Sequence, residues 1–233
     1  MTIYERAVAL VPDGAAIGLG SGRAAWAFVG LLGDRVREGR LNVRGVPTSD
    51  ETARVAAQHG MPLVDLDQAG ELALTVDGAD EVDPQLNLIK GYGRALVREK
   101  VVAAASRRLV ILVGSEKLVP RLGAHGRLPV EVVPFAVPVC LRRLTALGLK
   151  PVLWETNGRP GMSDNGNCIL DCGTDPIADP ARLEADIRAI PGVVGTGLFL
   201  GMADTVLIGE GDDFRLTEER HATHTETIGG RAS

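Results

Sequence analysis

A chain of 233 residues, 45 % hydrophobic and 24 % charged, has the usage of an ordinary globular protein with room for one domain and a smaller appendage, which excludes disordered and fibrous classes. Its 25 basic and 30 acidic side chains give a formal charge of −5; with no basic cluster longer than a few residues, nucleic acid and anionic membrane are poor partners. Aromatic residues are only 3 %, so Val, Leu, Ile and Ala must fill the core.

Short Val/Ile/Leu-rich runs alternate with helical patterns through the first half, as βαβ units on a parallel sheet do. Strands are predicted over residues 15–19, 43–46, 72–76 and 109–113, with helices over 24–32, 50–59 and 94–105 between them. Ser49 or Asp50 is the expected N-cap of the second helix. Beyond Gly114, the prolines Pro120, Pro129, Pro134 and Pro138 and the glycines Gly123 and Gly126 mark a crossing between structural units. There follow a strand (130–133), a helix (139–147), strands at 151–154 and 167–171, a helix (180–189) and a strand (193–198), the βαββαβ order of a small ferredoxin-like unit. A last apolar run, 205–208, can return to the first sheet. The expected fold is α/β: a Rossmann-like, doubly wound, mostly parallel sheet from residues 1–124 and 199–233, with a smaller ferredoxin-like α+β domain from 125–198. The polar stretch from Glu218 onward, and 220–233 in particular, is expected to be a flexible tail.

The longest apolar runs, such as 109–113, are far below the ~18 residues of a membrane span, and residues 1–11 lack a basic stretch ahead of an apolar one. A cytoplasmic protein is expected. Cys140, Cys168 and Cys172 form no C-x-x-C pair and read as plain thiols. No two histidines have metal-ligand spacing on a predicted helix, so no metal is expected.

Four segments can carry chemistry. Gly18-Leu19-Gly20-Ser21-Gly22-Arg23-Ala24-Ala25 turns from a predicted strand into a predicted helix, whose free N–H groups and dipole favour an anion such as phosphate. It also satisfies G-x-G-x-x-A, but the second strand ends in Val46-Pro47-Thr48 without the carboxylate that would hold a ribose hydroxyl, so a dinucleotide is disfavoured. Asp77-Gly78-Ala79-Asp80-Glu81-Val82-Asp83 lies where a buried strand ends, the place for ligands in an open α/β sheet, and lacks calcium-loop spacing. Lys90-Gly91-Tyr92-Gly93 puts a cation beside a flexible loop, suited to a phosphate or an oxyanion. Glu99 has Ala95, Leu96, Val102 and Ala103 at i−4, i−3, i+3 and i+4, so it lies on an apolar helix face. Such surroundings disfavour the ionised carboxylate and drive it toward the pKa range of a general base.

Together these segments resemble ribose-5-phosphate isomerases of the A type. The likeness runs through 18–25, 48–52, 77–83, 88–106, 114–119, 128–134, 164–171 and 190–199. Its most specific part is Asp77-Gly78-Ala79-Asp80-Glu81 with Lys90-Gly91-x-Gly93 and Arg98-Glu99-Lys100. The resemblance implies interconversion of D-ribose 5-phosphate and D-ribulose 5-phosphate without metal or cofactor, in the non-oxidative pentose phosphate pathway, by a homodimer or homotetramer. Position by position, Glu99 resembles the base that moves a proton between C1 and C2 through a cis-enediol(ate). Lys90 matches the group that stabilises the developing oxyanion, and Asp77 and Asp80 those that hold sugar hydroxyls and assist ring opening. Ser21, Gly22, Arg23 and Ala24 match the substrate-binding loop at the phosphate. Lys117 matches a further substrate-contacting lysine, and Gly78, Ala79, Gly91, Tyr92 and Gly93 fall in loops against the sugar.

Two departures stand out. The family's T-G-S-T run is Ser21-Gly22-Arg23-Ala24 here, so two hydroxyls are missing, and the Arg23 fork is expected to hold phosphate in their place. The chain also begins late relative to the family, without the usual first helix turns and their basic residue, which again points to Arg23. Tyr92 stands where the family's K-G-G-G loop has glycine, and its ring is expected to cover the sugar or block it. Two alternatives follow: a related sugar-phosphate isomerase with altered substrate choice, or a non-catalytic sugar-phosphate-binding regulator on the same fold.

Overall fold

The computed structural model describes residues 2–209 and 217–220. The chain runs α1 (Ile3–Val8), β1 (Ala16–Leu19), α2 (Arg23–Arg37), β2 (Arg44–Pro47), α3 (Asp50–Gln58), α4 (Leu66–Ala69), β3 (Thr75–Gly78), β4 (Glu81–Val82) and β5 (Leu88–Ile89). It continues through α5 (Leu96–Ala104), β6 (Leu109–Gly114), β7 (Arg127–Val132), α6 (Val137–Ala146), β8 (Lys150–Leu153), β9 (Glu155–Thr156) and β10 (Arg159–Pro160). The last elements are β11 (Cys168–Gly173), α7 (Pro180–Arg188), β12 (Val193–Thr196), β13 (Leu198–Phe199), β14 (Thr205–Gly209) and β15 (Thr217–Arg220).

The main sheet has the order β15-β14-β6-β3-β1-β2, parallel except for β15. Its parallel strands follow the doubly wound pattern in which the order of strand addition reverses between β1 and β3, and the loops leaving those two strands open a crevice at their carboxyl ends. Both faces are apolar, as a parallel sheet covered by helices requires. Ile17, Leu19, Leu74, Val76, Val110 and Leu112 pack with Phe28 and Val29 of α2 and with Ile3 and Ala7 of α1. The opposite face carries Thr75 and Asp77 toward α5. Space for them comes from β1 and the turn after it: a Cβ on Gly18 would lie 1.9 Å from Thr75 Oγ1, and one on Gly20 2.3 Å from the Asp77 carboxyl.

A four-stranded antiparallel sheet, β12-β7-β11-β8, follows within residues 127–196. Taken in chain order its strands lie fourth, first, third, second, the ferredoxin-like arrangement, with the β9–β10 hairpin inserted between β8 and β11. Period-2 alternation sorts its two faces. Leu128, Val130, Val132, Leu170 and Cys172 pack under α6 and α7 with Cys140, Leu144 and Ile187. Arg127, Pro129, Glu131 and Asp171 turn the other way, toward residues 90–97: a Cβ on Gly91 would meet Pro129 at 3.4 Å, and one on Gly195 would meet Val97 at 3.0 Å. All three cysteines are buried free thiols.

Several boundaries differ from those predicted. The third strand begins at Thr75, so Asp77 lies inside the sheet, paired with Ile111, rather than beyond its end. The predicted strand 193–198 breaks at Gly197, where a Cβ would lie 2.3 Å from the Lys90 carbonyl oxygen; β12 stays with the small sheet, and β13 pairs with β5. The fifth helix starts at Leu96, because Arg94 has φ 71° and cannot be helical. Residues 218–220, expected in the tail, belong to β15, which pairs with the free edge of β14; the rest of that tail, 221–233 with His221 and His224, lies outside the described residues. Helix α1 is present at the start of the chain, closed by a capping box between Thr2 and Glu5.

Candidate active site

A cavity of about 450 Å³ opens over the carboxyl ends of β1, β3 and β6. Ser21, Gly22, Arg23, Ala24, Gly78, Ala79, Asp80, Lys90, Gly91, Gly93, Glu99 and Lys117 line it, together with Ile3, Tyr4 and Glu116, which the sequence reading passed over. The T-I-Y-E capping pattern and the apolar run after it were the available signal for the α1 residues. Neither Asp77 nor Tyr92 is among the lining residues.

Three buried charges meet beneath the cavity. Lys90 is 3 % exposed, and its Nζ lies 2.9 Å from Asp77 Oδ2, 3.4 Å from Glu99 Oε2 and 2.6 Å from the Gly78 carbonyl oxygen. The ammonium thus donates to the Gly78 carbonyl and forms ion pairs with both carboxylates, of which the contact to Glu99 is the longer. Asp77 Oδ1 accepts the N–H groups of Ser21 and Gly78 at 3.1 and 2.7 Å, so the aspartate is fully committed inside the protein. The backbone fixes the lysine in turn, since Lys90 N–H donates to the Gly197 carbonyl at 2.9 Å.

Glu99 reaches this cluster from α5, whose buried residues are Leu96, Glu99, Val102 and Ala103. Its sequence neighbours do not neutralise it. Arg98 is spent on Asp50, Asn165 and the Asp164 carbonyl, bracing α5 against the start of α3. Lys100 donates to the Thr196 and Leu198 carbonyls. Burial pushes the Glu99 carboxyl well above the ordinary carboxylate range, Lys90 pulls it back, and Asp77 and Asp80 add to the rise. Burial likewise raises Asp80, against the Tyr92 N–H, which it accepts on Oδ2 at 2.9 Å, and against the charges of Lys90, Lys117 and Arg127. For Lys90, burial favours the neutral amine, but Asp77 and Glu99 outweigh it and the ammonium is held above its usual range.

The acidic run divides in two. Asp77 and Asp80 belong to the site, whereas Glu81 and Asp83 hold backbone. Glu81, fully buried, accepts the N–H groups of Gly123 and His125, and Asp83 accepts those of Gln85 and Asn87.

Opposite the charge cluster, Gly22 (φ 92°) opens α2 with no side-chain cap, leaving first-turn N–H groups directed at the cavity. Arg23, the first helical residue, is exposed and has no ion-pair partner among the described residues; Lys117 stands on a 3₁₀ turn after β6. The structure bears on two sequence expectations. The Ser21 hydroxyl is tied to Thr48, Ser49 and Thr52 at 2.8, 2.8 and 3.1 Å, and its N–H to Asp77, so Ser21 builds the wall rather than offering a free donor. The Tyr92 ring neither covers nor blocks the cavity: it turns to the small sheet, where its hydroxyl donates to the Arg127 carbonyl at 3.2 Å and the Arg127 guanidinium lies 4.4 Å from its centroid. Only the Tyr92 N–H turns inward, to Asp80.

The arrangement suits proton transfer next to a developing negative oxygen: a buried carboxylate of raised pKa, an ammonium beside it, and an anion-binding helix terminus across the cavity. The family model of ribose 5-phosphate isomerase A (phosphoriboisomerase A) matches residues 44–213. Ribose-5-phosphate isomerase A of Roseiflexus castenholzii is 52 % identical over 210 residues, covering 89 % of this chain and 90 % of that protein. The Gloeobacter violaceus protein of the same name is 51 % identical, covering 90 % and 91 %. Among solved structures, ribose 5-phosphate isomerase A from Methanocaldococcus jannaschii superposes with a TM-score of 0.88 at 40 % identity, over 94 % of this chain and 97 % of that one. A D-ribose-5-phosphate isomerase in complex with phospho-erythronic acid gives 0.89 at 35 % identity, over 94 % and 96 %.

Proposed function

The chain belongs to the ribose 5-phosphate isomerase A family, and from that membership we propose that it interconverts D-ribose 5-phosphate and D-ribulose 5-phosphate with Glu99 as the proton-transferring base. The observation that carries the assignment of the base is the burial of Glu99 against Lys90 at the cavity floor. With the open-chain aldose bound, the Glu99 carboxylate removes the proton from C2 while Lys90 stabilises the negative charge growing on O1; protonated Glu99 then returns that proton to C1 of the cis-enediolate as the O2 hydroxyl proton passes to O1, leaving the C2 carbonyl. The substrate oxygen approaches the ammonium on the side of Glu99, whose 3.4 Å ion pair is the longest of the three contacts.

The aspartates take different parts in this reading. Asp77, 1 % exposed, hydrogen-bonded on Oδ1 and ion-paired on Oδ2, orients Lys90; Asp80, which lines the cavity, meets the sugar hydroxyls and assists ring opening. The phosphate lies at the start of α2 between Arg23 and Lys117. Arg23→Ala is expected to raise the Michaelis constant for ribose 5-phosphate about tenfold or more with kcat little changed, and to leave the melting temperature alone because Arg23 is exposed and unpaired among the described residues. An unchanged Michaelis constant removes Arg23 from the phosphate site. The reaction itself is tested by following ribulose 5-phosphate formed from ribose 5-phosphate, against a panel of other phosphorylated sugars.

No helix among the described residues is long and apolar enough to cross a membrane, and we place the enzyme in the cytoplasm as a homodimer or homotetramer. Phe135, 95 % exposed, with Val133 and Val139 nearby in sequence and 41 and 39 % exposed, supports a covered apolar surface. Light scattering is expected to give two or four times the 24.5 kDa chain mass; a single-chain mass at assay concentration contradicts it.

A further inference from the structure

Asp171, on β11, does not line the cavity, yet it ties together two elements on which the cavity depends. Its Oδ1 accepts from Arg94 Nη1 at 2.7 Å and from Arg127 Nε at 2.8 Å. Each guanidinium also lies over a ring, Arg94 at 4.7 Å from the centroid of Trp154 and Arg127 at 4.4 Å from that of Tyr92. The two arginines come from opposite sides of a junction. Arg127 belongs to β7 of the small sheet, whereas Arg94 ends the segment 90–94 that bears Lys90 and the Tyr92 N–H. Arg94 has φ 71°, a left-handed backbone that a residue with a side chain keeps only where its surroundings hold it. The Arg94 N–H closes a turn onto the Gly91 carbonyl at 3.0 Å, its guanidinium is anchored on Asp171, and the same carboxylate oxygen meets Arg127 beside the Tyr92 ring.

We propose that Asp171 is a positioning residue for the isomerisation: by gathering Arg94 and Arg127 on one oxygen it fixes segment 90–94 against the small sheet, and so sets the Tyr92 N–H on Asp80 and the Lys90 ammonium between Asp77 and Glu99. This role rests on the isomerase reading above. Binding of the phosphate at α2 does not pass through the segment, so loss of Asp171 falls on the chemical step. Asp80, faced by Lys90, Lys117 and Arg127, also loses the N–H that opposes the effect of its burial.

The test compares Asp171→Asn and Asp171→Ala with the parent, as full-length chains, by kcat, Michaelis constant, pH–rate profile and melting temperature. The expected result is a fall in kcat of about ten- to a hundredfold with a Michaelis constant within about threefold of the parent, and a kcat profile whose acid limb moves to higher pH. Arg94→Gln and Arg127→Gln, each of which takes one of the two guanidiniums from Asp171, are expected to reproduce part of the Asp171 loss. These two variants decide the matter if Asp171→Ala does not fold. A parent-like kcat and profile in Asp171→Asn overturns the proposal, as does a loss of activity that follows the melting temperature with no change in profile. A parent inactive on ribose 5-phosphate defeats the isomerase reading and this role with it, whereas an active parent with unaffected variants defeats this role alone.

Discussion

Lys90→Met is expected to cost both the reaction and a large part of the stability. The ammonium is the ion-pair partner, among the described residues, of Asp77 and of Glu99, and both carboxylates are almost wholly buried. Removing one member of such a buried cluster typically costs about 3–5 kcal/mol, because the remaining charges lose their compensation without regaining water. For a chain of this length that corresponds to a fall in melting temperature on the order of 10 °C. The deficit depends on pH in a defined direction. Without Lys90 the Glu99 carboxyl, already raised by burial, rises further above its unfolded value of ~4. Groups raised in this way stabilise the fold below the unfolded pKa and lose that contribution as pH rises through the folded pKa. Thermal unfolding should therefore show the variant closest to the parent near pH 4–5 and furthest from it near pH 8. Equal melting temperatures at pH 8 would show that the three charges are not coupled as their distances imply. Turnover should fall by about 10²–10³, the usual effect of losing one oxyanion donor.

Glu99→Gln separates chemistry from folding. The amide keeps the shape and loses only the ability to take a proton, so kcat is expected to fall by about 10²–10⁴, with a Michaelis constant close to the parent's because the proposed phosphate site at the start of α2 lies across the cavity. The parent's kcat/KM should rise with pH through an acid limb above the ordinary carboxylate range, since burial dominates the Glu99 environment and the base works only when ionised. The stability effect has the opposite sense to that of Lys90. A carboxyl with a raised folded pKa contributes stability below about 4.3 and loses it as pH rises through the raised value, so its replacement should leave the protein no less stable at pH 8. A strong loss of melting temperature in Glu99→Gln at pH 8 would place the residue in a purely structural role.

Much of this site was legible in the amino-acid order because its chemistry depends on local patterns. The neighbours of Glu99 at three- and four-residue spacing already placed it on the buried face of α5. The alternation of short apolar runs with helical stretches already gave the parallel sheet. What the order did not disclose depends on contacts between distant segments. The partner of Glu99 is Lys90, nine residues away across a turn, not the adjacent Lys100. Asp77 and Asp80 looked equivalent in the motif, and only the close approach of Gly20 and the pairing of β3 with β6 separate a buried carboxylate from one that opens on the cavity. The Ser21 hydroxyl is claimed by Thr48, Ser49 and Thr52 from the next strand–helix unit. Tyr92 turned out of the cavity because Arg127, 35 residues on, offers its ring a cation and its hydroxyl a carbonyl. Helix α1 escaped notice although Thr2 and Glu5 stand at capping-box spacing.

The central claim is that a buried Glu99–Lys90 pair isomerises a phosphorylated pentose, and its most direct test is the initial rate of ribulose 5-phosphate formation from ribose 5-phosphate, measured for the parent and for Glu99→Gln side by side at pH 8. Saturable turnover by the parent, lower by at least a hundredfold in the folded variant, is the predicted result. A folded parent that leaves ribose 5-phosphate unchanged, or a Glu99→Gln variant that turns it over at the parent rate, would contradict it.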